Sequence, residues 1–276
     1  MPDGSIVKLP APTLSEGMDA AAQRAAIEKI MPLRCTFEDF TEKNSRAPIG
    51  LKVHSIKGKG DSTVRTVDLG FIAHGKWDVL ISDKFGKGFT KPKDKQTTKQ
   101  GGALKRSGFL SKEEIAKRGL ESSTKKGQQA RYFYSTFALF DLVEVSATRY
   151  AVLSQTPGSI VLAARVDPRF AHDVEYPNQW QPIETDALGN SVLGKKQSNA
   201  GASFYLKVTR LSEPSEAVFF EFHAAFHEPS GWFDGEPTLQ RKLPTIVNFQ
   251  VEQFRGKFAR ASQEGAASPE KVSHAD

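Results

Sequence analysis

Apolar positions along the 276-residue chain recur with two periods, and each period assigns elements. Residues 49–57 and 63–73 alternate. In the second stretch Arg65, Val67, Leu69 and Phe71 share one face, with Val64, Thr66 and Asp68 on the other, as in pleated strands. The GKGDS between them, residues 58–62, has the composition of a hairpin loop. From Tyr132 the chain turns aromatic and β-branched, predicting about three strands up to Val166, with TPGS at 156–159 turning the last two. Residues 203–211 alternate again, while 171–202, rich in Pro and Gly, reads as loop. The helical period appears twice. Ser15–Met31 is Ala-rich, with apolar Ala26, Ile27, Ile30 and Met31, and is stopped by Pro32. Residues 244–260 carry Val247, Val251, Phe254 and Phe258 at 4-3-4 spacing, with Pro244 in the first turn. No strand–helix–strand alternation occurs. The predicted fold is therefore α+β, a curved antiparallel sheet of roughly six to eight strands packed against a long C-terminal amphipathic helix. An extended arm (1–14), one domain (15–260) and a disordered tail (261–276) complete the expected organisation.

Residues 216–227 fit both periods. As a helix, Val218, Phe219, Phe222, Ala225 and Phe226 form one stripe. As a strand, Val218, Phe220, Phe222, Ala224 and Phe226 face the core, and Phe219, Glu221, His223, Ala225 and His227 face water. Four phenylalanines and a valine within nine residues, following a hairpin-like SEPSE, favour the strand. The choice is chemical. Helical His223 and His227 would lie about 6 Å apart and could share a metal. On a strand they stand about 13 Å apart and cannot. Glu221 with His223 can still converge on one face, given further ligands from His54 or His74. No metal site and no cofactor is expected.

Charge is concentrated in one place. Residues 84–131 hold 14 Lys/Arg against 4 Asp/Glu, a net +10 in a chain of net +6. With seven glycines and little periodicity, 84–130 reads as a basic, loop-rich insertion around one short helix. That helix has Ser111 as N-cap, Glu114 as its capping-box partner, and Leu110 with Ile115 as a staple. Lys84, Lys87, Lys91, Lys93, Lys95, Lys105 and Arg106 suit an anionic membrane or polyanion surface. They equally suit plain solvation. Lysine outnumbers arginine, which argues against sequence-specific nucleic-acid recognition.

Other features are weaker. The one cysteine, Cys35, excludes a disulfide framework and reads as a half-buried structural thiol. Carboxylate pairs such as Asp39/Glu42 and Glu113/Glu114 sit at helix starts, where carboxylates cap. No phosphate loop, dinucleotide fingerprint or nucleophile elbow occurs. Trp180 and Trp232 lie beside prolines in expected loops, either lining a pocket mouth or pinning loops to the sheet. Neither an apolar run long enough to span a bilayer nor a signal peptide is visible. A soluble protein is expected, in the cytoplasm or exported with its signal removed; oligomeric state stays open.

The phrases VDLGFIAHG, LFDLVEVSAT, VDPRF, YPNQW, EPSGWF and KLPTIV together resemble a family of bacterial proteins of the planctomycete type that carries no assigned activity. They cover most of residues 35–258, and the resemblance transfers no site residues. A sheet followed by a long C-terminal helix is similar to the helix-grip layout of START-like lipid-binding domains. That layout implies a non-enzymatic binding protein for an apolar or lipid-like ligand; the residues themselves, apart from the layout, make Glu221, His223, Trp180 and Trp232 candidate ligand contacts and put the basic insertion at a membrane or polyanion. Two alternatives stay open: a hydrolase or metal-assisted enzyme centred on Glu221, His223 and His227, and a protein-interaction module using the two tryptophans.

Overall fold

The computed structural model describes residues 7–57, 63–82, 102–121, 124–125, 128–199, 201–229, 232 and 238–264. The strands are β1 (Gly50–Lys57), β2 (Thr63–His74), β3 (Gly102–Phe109), β4 (Thr124–Lys125), β5 (Gln128–Leu139), β6 (Val143–Gln155), β7 (Ser159–Val166), β8 (Gln179–Thr185), β9 (Ser191–Leu193), β10 (Gln197–Ser198), β11 (Ala202–Arg210) and β12 (Ala217–Glu228). The helices are α1 (Ala20–Glu28), α2 (Phe37–Phe40), α3 (Trp77–Ile81), α4 (Lys112–Ala116) and α5 (Thr238–Glu264). Among the described residues the strands form one antiparallel sheet, ordered β1-β2-β12-β11-β7-β6-β5-β3. β4 pairs with the start of β5; β8 pairs with the first residues of β6 and carries β9 and β10. The α+β reading, an antiparallel sheet with a C-terminal helix against it, is what the chain forms.

α5 meets the sheet in two places. Toward its C-terminus, Val251 and Phe258 pack with Phe254 on Phe71, Val208, Val218 and Phe220. This is the predicted 4-3-4 stripe. Phe71 and Phe220, paired across β2 and β12, stack with ring centroids 5.0 Å apart. Toward its N-terminus, Leu239 packs with Leu243 and Ile246 on Trp180, Trp232, Val143 and Val145. Arg255 ties helix to sheet. Its Nε donates to Ile72 O at 2.7 Å and its Nη1 to Ala47 O at 2.6 Å. Gly75, after β2, lets the chain pass close beneath α5, because a Cβ there would lie 2.7 Å from the Phe258 ring.

The opposite face of the central strands is also covered. Leu14, Ile27 of α1, Phe40 of α2, Ile72 and Phe219 form a second buried cluster. The side of β12 expected to be solvated or hydrogen-bonded is therefore interior, with Glu221 and His223 hydrogen-bonded rather than in water. A strand sandwiched between helices reads as a continuous apolar run, and VFFEF fits that better than alternation.

Several boundaries differ from expectation. α1 begins at Ala20 rather than Ser15 because Asp19 caps it, accepting from Ala22 N at 2.8 Å. α5 begins at Thr238, which puts Pro244 inside the helix rather than in its first turn. Within the supposed loop-rich insertion, β3 is a strand at the sheet edge. α4 in the same stretch has the expected reciprocal cap between Ser111 and Glu114. Residues 171–202 contain three short strands, built on β8 pairing with β6. α5 runs to Glu264, into the tail expected from 261; the predicted loop at 58–62, residues 265–276 and all of 84–101 lie outside the described residues.

Candidate ligand-binding site

Between its two contacts, α5 spans a gap above the sheet, leaving a cavity of about 500 Å³. That lies within the usual range of small-molecule sites, roughly 300–1,000 Å³. Strand alternation supplies its floor: Val67 and Leu69 from β2, Phe222, Ala224 and Phe226 from β12, Phe204 from β11. Leu239, Leu243 and Val247 of α5 form the roof, and Trp232 borders one side. Ser135, Arg149, Asn199, Ser203, His227 and the indole of Trp232 bring polar groups to the lining. Phe222, Ala224 and Phe226 each keep accessible surface although they face inward, as expected beside open space.

Neither tryptophan stands at a surface, although Trp232 lies in a bend as expected. Trp180 sits on β8, 2% exposed, and Trp232 is 6% exposed, with their rings edge to face at 6.0 Å. Trp232 meets the cavity; Trp180 backs it. The interaction-module alternative needed both at an interface, and burial removes that role in this chain.

Glu221 and His223 lie on the other face of β12, beneath the N-terminal segment. His223 Nδ1 is 2.6 Å from Asp68 Oδ1, and Nε2 is 3.5 Å from Glu221 Oε2. Glu221 also accepts from Thr13 N at 2.7 Å. Tyr205 OH donates to Pro10 O at 3.0 Å, and the Lys207 ammonium donates to Leu14 O. A smaller cavity of about 230 Å³ opens here, lined by Pro10, Thr13, Lys52, Asp68, Glu221 and His223 among others. Burial pushes the His223 pKa down, but hydrogen bonds and charge from Glu221 and Asp68 more than offset it, so the net shift is upward. His227, in contrast, borders the large cavity. The triad Glu221, His223 and His227 is therefore not assembled around one space. His54 is exposed on β1, and His74 Nε2 bonds Thr41 O at 2.8 Å, so neither joins Glu221. Among the described residues no cluster of three His, Cys, Asp or Glu could hold a metal ion.

No family model and no curated protein matches the chain. Human STARD10 is similar at a TM-score of 0.36 and 7% identity, covering 86% of each chain. The lipid transfer and protein localization domain of human StarD13 is similar at 0.39 and 5% identity, covering 75% of this chain and 89% of that one. CalU16 of Micromonospora echinospora scores 0.23 at 11% identity, covering 78% and 98%. At these scores the likeness brings no residue, ligand or activity to this chain.

Of the basic candidates, Lys84, Lys87, Lys91, Lys93 and Lys95 lie outside the described residues. Lys105 pairs with Glu144 at 2.5 Å, and Arg106 stacks over Tyr134 and Tyr176 at 5.1 and 5.0 Å. Cys35 is half-buried, its pKa raised by burial and then by Asp39, which leaves it a poor nucleophile. Among the described residues no helix is long and apolar enough to cross a membrane. Sequence reasoning missed Arg149. The signal was present: Arg149 has the same parity as buried Val143, Val145, Ala147 and Ala151, a charge at an inward position of an apolar strand.

Proposed function

We propose that this chain is a binding protein that encloses an apolar or lipid-like molecule between its sheet and α5. The cavity carries the reading: about 500 Å³, walled mainly by Val, Leu, Phe and Ala side chains, and bridged by a helix anchored on both sides of it. Protein interiors are close-packed with few voids larger than a water molecule, so an apolar space of this size supports a ligand site. The lysine-rich stretch 84–131, at net +10, suits approach to an anionic membrane or polyanion, where a ligand of this type would be collected or delivered.

Native mass spectrometry of the purified chain, followed by solvent extraction, is the test. A bound apolar species of defined mass is the expected result. A ligand-free protein that also takes up no added lipid contradicts it. For the basic stretch, co-flotation with vesicles containing phosphatidylserine should exceed that with neutral vesicles and should fall at high salt.

A further inference from the structure

Arg149 stands out among the residues lining the large cavity. It is enclosed by protein yet keeps accessible surface on the cavity side. Its Nη1 donates to Ser135 Oγ at 2.6 Å and to Ala147 O at 3.4 Å. Among the described residues no carboxylate pairs with it. Arg255, which is buried, instead reaches four backbone carbonyls, those of Ser45, Ala47, Pro48 and Ile72. Guanidinium groups are seldom buried without an anion, and theirs is a planar fork matched to carboxylate and phosphate oxygens. Here Nε and Nη2 keep three N–H donors without a described partner, beside apolar walls that would hold a hydrocarbon chain.

From this geometry we infer that the ligand is an amphiphile with one anionic head group, which Arg149 binds inside the cavity while the chain lies along Val67, Phe204 and Phe222. The inference rests on the cavity being the ligand site. Burial lowers the Arg149 pKa to about 10, so the side chain remains a cation at neutral pH.

Hexadecanoate, hexadecyl phosphate and hexadecanol are suitable probes, titrated into delipidated wild type, Arg149→Met and Arg149→Lys by calorimetry. Wild type should bind the carboxylate or the phosphate at least about tenfold more tightly than the alcohol. Whichever anion binds more tightly names the head group. Arg149→Met should lose that preference, its affinities for the anions falling to the level of its affinity for hexadecanol, and Arg149→Lys should keep part of it. Equal binding of anions and alcohol by wild type overturns the head-group inference and leaves the apolar cavity standing, as does a preference that persists in Arg149→Met. No binding of any probe overturns both. If Arg149→Met fails to fold, Arg149→Lys carries the test: a reduced preference supports the assignment, and a preference as large as that of wild type overturns it.

Discussion

His223 shows what a buried polar side chain does in this chain. It stands between Asp68 and Glu221, with the Tyr205 ring 4.8 Å away and Lys52 lining the same small cavity. Its pKa is raised in the folded state, so the stability it contributes is present in full below the unfolded value near 6.5 and is lost as pH rises through the folded value. Wild type should therefore exceed His223→Gln most at pH 6, and the difference in melting temperature should shrink toward pH 9. A pH-independent difference would mean that the imidazolium contributes nothing. Glu221 is 1% exposed and holds the N-terminal segment through Thr13 N, so Glu221→Leu should loosen that segment. Faster amide exchange over residues 10–14 would report it.

Among the elements, α5 and the β5–β7 meander were largely legible, because their apolar periods are long and uninterrupted. Residue-level signals also carried α4, whose Ser111–Glu114 cap is a local pattern. β3 and β8 were not legible, since edge pairing depends on partners distant in sequence and Gly- and Pro-rich composition obscured them. The turn from β5 to β6 was equally hidden: Phe140 and Asp141 both take positive φ, 57° and 58°, without a glycine. The buried second face of β12 was missed because the covering segment, Pro10 to Phe40, reads locally as arm and short helix. Two substitutions test the element contacts. Phe258 is fully buried against Gly75 and the sheet, so Phe258→Ala should cost about 3–5 kcal/mol by denaturant melts. Leu243 faces the cavity, so Leu243→Ala should cost less than half of that. Beyond the main sheet, Arg118 grips Asp173 with two hydrogen bonds, 2.6 and 3.0 Å, and with backbone help lowers its pKa to about 2. That stability is present above the unfolded value of 3.8 and is lost as pH falls toward 2. Asp173→Asn should cost about 2 kcal/mol at neutral pH, with the deficit closing in acid.

At the scale of the whole molecule, the sheet has two covered faces with different characters. One is a packed apolar cluster under α1, α2 and the N-terminal segment, flanked by the Asp68–His223–Glu221 group. The other carries α5 across an open cavity. The sequence pointed to Glu221 and His223 because paired polar residues attract notice, whereas a cavity is a property of side chains that fail to meet and leaves no local signature. If the cavity is the binding site, ligand should raise the melting temperature with concentration, by RT ln(1 + [L]/Kd) in free energy. The most direct measurement fills the space. Ala224 lies on the cavity floor between Val67 and Phe204, and Ala224→Trp projects a large ring into it. Hexadecanoate binding, measured beside thermal unfolding, should be lost in Ala224→Trp while the variant still melts cooperatively at or near the wild-type temperature. Wild-type affinity retained in a folded Ala224→Trp would place the ligand elsewhere and contradict the cavity as its site.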